Sequence, residues 1–251
     1  MSLNGKVAIV TGSSSGIGAA IAIKLVEEGA RVAIVGRNQE KLNNVAKKCG
    51  NPLVLVADVS KDEDAKRIVD ETVKHFGKLD ILINNAGILR LARIDAEEAM
   101  AVFDKIMSTN VRAAVYITHL AAPYLIKTKG NIVNISSVAA FRPFMDGYFS
   151  YGTSKAALDH FTRCIALELA PNGVRANVVN PGPVTTDIFE TIGLKDGAEE
   201  EFVKQVQKMT ALDRVSESEE IADLVLFLVS DKARGITGSS YVSDNGLLLT
   251  S

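Results

Sequence analysis

Residues 7–18 read VAIVTGSSSGIG, an apolar run that ends in a glycine-rich loop and continues into a helical pattern. Glycine at positions 12, 16 and 18 permits a tight turn, lets the backbone approach a pyrophosphate, and lets the following helix pack closely on the strand. The spacing is G-x3-G-x-G and not the commoner G-x-G-x-x-G, so the loop alone is a weak signal. Its position after the first predicted strand favours a nucleotide site at the start of the helix.

Further apolar runs recur along the chain and are separated by helix-length segments, with no linker, repeat or low-complexity stretch between them. Continuously apolar runs are typical of strands buried on both faces of a parallel sheet. The sequence therefore predicts an α/β, doubly wound Rossmann fold with a seven-stranded parallel sheet flanked by helices on both faces, in a single domain over residues 1–251. The S-x-x-E segments that begin at Ser60 and Ser216 predict capping boxes at two helix starts.

Composition excludes several classes of function. The net charge is −2 and basic residues are interspersed with acidic ones, so we expect no nucleic-acid partner. No segment resembles a signal peptide or a membrane span, so we expect a cytoplasmic protein. Cys49 and Cys164 lack the spacing of a zinc site, so we expect reduced thiols and no bound metal. The acidic clusters at 62–64 and 217–220 are interpreted as helix caps.

Polar residues follow the next two strands. The second strand ends at Gly36 and Arg37, where an NAD site usually places an acidic side chain. A guanidinium suits the 2′-phosphate of NADP. We therefore expect NADP as the cofactor, with NAD as the less favoured alternative. Asp58 follows the third strand and either accepts from the adenine amino group or caps the following turn.

The later motifs complete a pattern. Asn84-Asn85-Ala86-Gly87 ends the fourth strand, Ser136-Ser137 ends the fifth, Tyr151 and Lys155 form Y-x3-K, and P-G-x-V-x-T begins at Pro181. Together with the glycine loop, these motifs resemble the short-chain dehydrogenase/reductase family over nearly the whole chain. The resemblance implies an NAD(P)-binding enzyme that interconverts alcohols and carbonyls and assembles into a homotetramer or a dimer.

The resemblance also implies roles for individual residues. Tyr151 would be the general acid, Lys155 would lower its pKa together with the oxidised nicotinamide and would bind the nicotinamide ribose, and Ser137 would hydrogen-bond the substrate oxygen. Asn110 would hold a water behind the lysine. The loop from Val138 to Ser150 is one residue longer than is usual in the family, so Ser136 is the alternative to Ser137.

The predicted cofactor-binding residues are Gly12, Ser14, Ser15, Gly16, Ile17, Gly18, Arg37, Asn38, Asp58, Val59, Asn85, Ala86, Gly87, Tyr151, Lys155, Pro181, Gly182, Val184 and Thr186.

Three segments are expected to line a substrate pocket: residues 88–95, residues 141–149, and a substrate loop or lid at about 187–215. The second reads FRPFMDGYF and predicts an apolar pocket for a hydrophobic small molecule, although the same aromatics would also suit a subunit contact. Two other classes of protein are alternatives to a reductase. A methyltransferase would need no Tyr and Lys at helical spacing, and a non-catalytic NADP sensor would lose one of them, whereas this chain keeps both.

Overall fold

The protein is described by a computed structural model over residues 2–186 and 198–250, with the backbone alone at 198–202. A seven-stranded parallel sheet runs in the order β3-β2-β1-β4-β5-β6-β7. The strands are β1 (Val7–Thr11), β2 (Arg31–Gly36), β3 (Leu53–Val56), β4 (Ile81–Asn84), β5 (Asn131–Ile135), β6 (Arg175–Pro181) and β7 (Ser240–Ser243). The predicted doubly wound fold is confirmed.

Helices cover both faces of the sheet. On one face lie α1 (Gly16–Glu27), α2 (Gln39–Lys48) and α8 (Ser218–Val229). On the other lie α3 (Asp62–Phe76), α5 (Ala113–Thr128) and α6 (Phe149–Leu169). The short helix α4 (Ala99–Ile106) continues through a π-helix (Met107–Arg112) into α5. Each helix layer buries its apolar side chains against the sheet. The hydrophobic core therefore consists of two clusters, one on each face of the sheet.

Burial is uneven across the sheet. The central strands β1 and β4 are buried along their whole length, as their apolar runs predict. The outer strands β3 and β7 are only partly buried, so the expectation that all the strands are covered on both faces is wrong for these two. They lie at the sheet edges, where each has a neighbouring strand on one side only.

Both predicted capping boxes are wrong. Helix α3 begins at Asp62 with Lys61 at its N-cap, and the Ser60 hydroxyl donates instead to the Asp58 carboxylate at 2.7 Å. Helix α8 begins at Ser218 with Glu217 at its N-cap, and the Ser216 hydroxyl accepts from Asn245 at 2.9 Å. Each serine is bonded elsewhere and does not serve as the cap.

The order of the strands places a crevice in the sheet. Strand β1 pairs with β2 on one side and with β4 on the other, so the connections from β1 and from β4 leave in opposite directions. The carboxyl ends of these two strands are the point where ligands collect in open α/β sheets.

Part of the predicted substrate loop at 187–215 lies outside the described residues, namely 187–197. The rest includes helix α7 (Ala198–Lys208). Among the described residues, no helix combines the length and apolarity needed to cross a membrane, and no group of His, Cys, Asp and Glu side chains could hold a metal ion.

Gly18 is the point where α1 packs most closely on the glycine loop. A Cβ at Gly18 would lie 2.3 Å from the Gly12 carbonyl oxygen and 2.4 Å from the Asn85 amide nitrogen. Alanine at an open position in a helix normally stabilises, but this overlap with backbone forces the helix away from the strand.

We therefore expect Gly18→Ala to lower the free energy of unfolding by about 1–3 kcal/mol, measured by chemical denaturation. Gly235→Ala is the matched control, since a Cβ at Gly235 would meet no atom within 4 Å. Equal stability of the two variants would show that the helix does not pack on the loop as described.

Candidate active site

The glycine loop is fastened to the end of β4 by Thr11 and Asn85. The Thr11 hydroxyl accepts from the backbone N–H groups of Asn85 and Ala86 at 3.0 and 3.1 Å and donates to the Ile83 carbonyl at 3.2 Å. The Asn85 amide donates to the carbonyls of Thr11 and Gly12 at 2.9 and 3.1 Å. Through these bonds Asn85 helps to hold the shape of the loop. The sequence analysis did not identify Thr11 as part of the site.

A cleft of about 340 Å³ opens above this loop. It is lined by the predicted residues Gly12, Ser14, Ser15, Gly16, Ile17, Gly18, Arg37, Asn38, Asp58, Val59, Asn85, Ala86, Gly87 and Thr186. The start of α1 faces it, and within the described residues the Ser15 side chain does not cap the helix. Backbone N–H groups at an uncapped helix start are donors for phosphate.

Gly16 shows that the cleft requires glycine in its wall. Its φ is +53°, a conformation that L side chains rarely adopt, and a Cβ there would lie 2.9 Å from the Thr186 methyl group. The loop therefore keeps this side of the cleft open to a ligand. The donors, the shape and the glycines fit the adenosine and phosphate half of a nicotinamide dinucleotide.

Basic and polar side chains surround the end of β2. Arg37 is exposed at the cleft wall, and Lys41 on α2 lines the same cleft, a second cation that was not identified from the sequence. Asn38 is the N-cap of α2, where its side chain accepts from the Lys41 backbone N–H at 2.9 Å. Two cations at this wall favour an anionic group on the ligand.

Asp58 caps the turn that follows β3, which is one of the two roles predicted for it. Its carboxylate accepts from the backbone N–H and the hydroxyl of Ser60, at 3.0 and 2.7 Å. Partial burial acts to raise its pKa, but the Ser60 hydrogen bonds and the charge of Arg37 together hold that pKa below its usual value. Asp58 also lines the cleft.

A second cavity of about 260 Å³ continues from the first. The two share Ile17, Asn85, Gly87 and Thr186 in their walls. The second is lined by Ser137, Tyr151, Lys155, Pro181, Gly182 and Val184, whereas the predicted residue Asn110 lines neither cavity. The groove thus runs without a break from Arg37 to Tyr151.

Tyr151 and Lys155 lie on one face of α6, as their spacing predicts, and both are buried, with 7% and 5% of their surface exposed. The Lys155 ammonium lies over the Tyr151 ring, 5.5 Å from its centroid, and donates to the Ile135 carbonyl at 2.9 Å. The Tyr148 ring meets the Tyr151 ring edge to face at 5.6 Å. The phenol is therefore enclosed by aromatic, aliphatic and cationic groups.

The expected lowering of the Tyr151 pKa by Lys155 together with the oxidised nicotinamide concerns the loaded site, whereas in the chain alone the surroundings of Tyr151 act in the other direction. Burial raises the pKa of Tyr151 well above its usual value and the neighbouring Tyr148 raises it further, while a hydrogen bond with Ser137 lowers it in part. Burial lowers the pKa of Lys155 to about 8. Desolvation disfavours both charged forms, so it outweighs the attraction between phenolate and ammonium.

The two serines after β5 point in different directions. Ser137 hydrogen-bonds Tyr151 and lines the cavity. Its hydroxyl oxygen also accepts from the Ala139 backbone N–H at 3.2 Å. Ser136 is buried, and its hydroxyl donates to the Lys155 carbonyl at 3.1 Å. Of the two, only Ser137 has its hydroxyl beside the phenol.

Asn110 is buried in the π-helix, and both N–H groups of its side-chain amide have partners. It accepts from the Ile88 backbone N–H at 2.8 Å and donates to the Ile88 carbonyl at 2.9 Å and to the Ser154 hydroxyl at 3.1 Å. π-Helical turns are frequent at functional sites because they displace a residue from the regular helix. Here the turn brings Asn110 beside Gly87, and the Lys155 ammonium lies beside the same glycine.

The outer wall of the second cavity is mainly apolar. Phe144, Met145 and Tyr148 come from the predicted segment 141–149, and Val206 and Met209 come from α7 and the residue after it. Two aromatics of that segment do not contribute.

Phe141 is 50% exposed, and Phe149 stacks on Phe103 with ring centroids 6.2 Å apart. Leu247 lines the cavity from the end of the chain and was not identified from the sequence, because nothing in its local pattern marks it.

The chain is similar to known proteins over nearly its whole length. A family model described as enoyl-(acyl carrier protein) reductase matches residues 12–248. The human dehydrogenase/reductase SDR family member 2, mitochondrial, is 36% identical over 95% of this chain and 85% of its own length.

Solved structures agree with these matches. A short-chain dehydrogenase of Burkholderia cenocepacia in complex with NADP has a TM-score of 0.90 and 34% identity, covering 99% of this chain and 100% of that one. A 3-ketoacyl-(acyl-carrier-protein) reductase of Brucella melitensis complexed with NADH has a TM-score of 0.89 and 31% identity, covering 98% and 99%. The chain belongs to the short-chain dehydrogenase/reductase family and is an oxidoreductase of that family.

Proposed function

We propose that the protein uses NADP(H) to interconvert a carbonyl and a secondary alcohol on a hydrophobic small molecule, within one nucleotide-binding domain. The observation that carries the proposal is the placement of Ser137, Tyr151 and Lys155 together in a cavity that continues into the nucleotide cleft. A phenol, an amine and a hydroxyl at the end of such a groove are the groups that carbonyl reduction needs.

The residues have separate tasks in this proposal. A bound nicotinamide supplies the hydride, and the chain places the substrate carbonyl beside it. Tyr151 donates its phenolic proton to the carbonyl oxygen, and the Ser137 hydroxyl donates a hydrogen bond to that oxygen as negative charge develops on it. Lys155 provides positive charge next to the phenolate that is left, and Asn110 holds a water that resupplies the proton.

The raised pKa of Tyr151 is the reason why this mechanism needs two positive charges near the phenol. Burial raises the pKa of Tyr151 above its usual value even with the Lys155 ammonium over the ring. Formation of the phenolate is therefore coupled to the presence of a second cation, and the oxidised nicotinamide is a cation that would lie in the same groove. Proton release from Tyr151 is then confined to the loaded site.

The preference for NADP rests on Arg37 and Lys41 at the wall of the nucleotide cleft. A phosphate on the ribose 2′ position gains charge-assisted hydrogen bonds there, whereas NAD offers only a hydroxyl. The Burkholderia relative was solved with NADP and the Brucella relative with NADH, so the family fold accepts either cofactor.

The hydrophobic substrate is supported by the cavity wall. Phe144, Met145, Met209 and Leu247 face the space in front of Tyr151. Their apolar surface favours an alkyl or ring system attached to the carbonyl, because each buried methylene group gains roughly 0.8 kcal/mol. Methionine side chains also adapt to irregular ligands.

The alternative is a non-catalytic NADP sensor. A sensor needs the nucleotide cleft but has no need of the buried phenol and amine. Burying Lys155 lowers its pKa to about 8, which is a cost to stability that a protein without catalysis would not need to keep.

Assembly and location complete the proposal. Helix α6 presents Leu167 with 79% of its surface exposed, an apolar contact that a homotetramer would cover. Cys49 and Cys164 are free thiols, as expected in the cytoplasm.

The decisive test is NADPH oxidation by wild type and Tyr151→Phe with a panel of ketones that runs from small and polar to long and apolar. We expect turnover to fall at least about 100-fold in the variant, because a general acid typically contributes a factor of 10²–10⁴. NADPH binding, followed by nicotinamide fluorescence, should be retained.

Tyr124→Phe on α5 is the matched control, since it removes the same hydroxyl outside the residues that line the cavity. Unchanged turnover in Tyr151→Phe would remove Tyr151 from the mechanism. Higher kcat/KM for polar ketones would overturn the hydrophobic substrate, and NADPH binding without turnover of any panel member would support the sensor.

Cofactor preference is tested by Arg37→Ser. We expect the KM for NADPH to rise about tenfold or more, because a hydrogen bond to a charged group contributes about 1.5–3 kcal/mol, while the KM for NADH stays within about twofold. Arg31→Ser is the control, since Arg31 is exposed at the opposite end of the same strand. Equal changes for the two cofactors would contradict recognition of the 2′-phosphate.

A further inference from the structure

A buried carboxylate lies on the same helical face as the two catalytic candidates of α6. Tyr151, Lys155 and Asp159 are spaced four residues apart, so they follow one another along that face. Only 3% of Asp159 is exposed. An acidic side chain is almost never buried to this extent unless a partner compensates its charge.

Two neutral side chains contact the Asp159 carboxylate. The Asn180 amide nitrogen on β6 lies 3.1 and 2.9 Å from its two oxygens, and the Ser240 hydroxyl on β7 donates at 3.3 Å. No cation forms an ion pair with Asp159 among the described residues. Neutral donors stabilise the carboxylate only in part, so its remaining field acts on nearby charged groups.

The Asn180 side chain is oriented in a way that requires an acceptor beside it. Its nitrogen also donates to the Ser137 carbonyl at 3.2 Å, while its own oxygen is buried without a partner in the described part of the chain. Turning the amide over would bring its oxygen against the carboxylate oxygens, two acceptors in contact. The carboxylate therefore fixes Asn180, and Asn180 in turn holds the peptide of Ser137.

Lys155 is the buried cation that precedes Asp159 by one turn on the same helical face, and the charge of Asp159 acts on it. Its other neighbours bring no counter-charge: Ile135 on β5 offers a carbonyl, Gly87 and Asn110 are neutral, and Tyr151 offers a ring face. Tyr148 lies behind Tyr151 and is a phenol too. Asp159 is thus the acidic side chain that acts on the buried amine, and its charge opposes the fall in the pKa of Lys155 that burial causes.

We propose that Asp159 is a positioning residue of the active site: its carboxylate supplies the counter-charge that keeps Lys155 an ammonium and, through Asn180, anchors the peptide of Ser137. This inference rests on the proposed function for its catalytic meaning, but its electrostatic part concerns the chain alone. Asp159 does not line the cavity and so would not contact the substrate.

The direction of the pH effect follows from the charges. Removing the carboxylate leaves the ammonium with the desolvation penalty alone, so Lys155 loses its proton at a lower pH. An opposite charge at close range typically shifts a pKa by about one to three units. The alkaline limb of the activity profile should therefore move to lower pH, with a loss of about fivefold at pH 8 for a one-unit shift from a pKa of about 8, and little loss at pH 6.

The test uses the full chain and Asp159→Asn, which keeps the shape and removes the charge. In protein labelled with carbon-13 at the lysine side chain, the Lys155 signal, assigned by its loss in Lys155→Arg, reports the protonation midpoint without nucleotide. We expect the midpoint to fall by about one unit or more, with kcat lowered at pH 8 and the KM for the ketone nearly unchanged. Asp159→Glu, which restores the charge, should restore the midpoint.

Asp70→Asn is the matched control, since Asp70 is an exposed carboxylate paired with Lys66 on α3 and carries the same change in charge. An unchanged Lys155 midpoint in Asp159→Asn would overturn the proposal even if the enzyme is active. A shifted midpoint in a protein that reduces no ketone would keep the electrostatic link and refute the proposed function instead.

Asp159→Ser serves as a second neutral variant should the asparagine variant fail to fold. If neither neutral variant folds while Asp159→Glu does, the carboxylate belongs to fold stability and the positioning role is overturned.

Discussion

The desolvation of one face of helix α6 is the constraint on which the site depends. That face carries Tyr151 and Lys155, and packing against β5 and the loop after β4 removes water from both. Burial favours the neutral phenol and the neutral amine, so the charge that catalysis needs has to be supplied by neighbours. In the proposed mechanism, this compensation comes from the Ser137 hydroxyl, from the Asp159 carboxylate and from a cationic ligand.

Buried hydrogen bonds fix the positions of the strands whose carboxyl ends carry the site. Asn84 donates to Thr118 and to Asn134, and Asn134 donates to Thr162, so a buried polar ladder joins β4 and β5 to α5 and α6. Buried polar groups with partners resist sliding, since a shift of register would leave them unpaired. Thr11 and Asn85 continue this fixation into the glycine loop. The cleft at the glycine loop and the cavity at Tyr151 are thereby held in a fixed relative position.

Much of this arrangement could be predicted from the sequence. Continuous apolar runs identified the strands, and glycine spacing and Y-x3-K identified the loop and the helix face, because these features depend on local periodicity and backbone freedom. What could not be predicted depends mainly on long-range contacts, namely Leu247 in the cavity wall and the link from Asp159 to Ser137. Lys41 is close to Arg37 in the sequence, but its place in the cleft wall depends on where α2 begins. Ser60 and Ser216 failed as caps because each hydroxyl has another partner, which is the nearby Asp58 carboxylate for Ser60 and the distant Asn245 amide for Ser216.

The most direct measurement is a crystal structure of the protein with NADP⁺ bound. The account predicts the adenosine 2′-phosphate at Arg37 and Lys41, the nicotinamide beside Pro181 and Gly182, and the phenolic oxygen of Tyr151 facing the ring across the cavity, with the Lys155 ammonium on the nicotinamide ribose. A structure in which Tyr151 turns away from the ring and Lys155 faces solvent would contradict it.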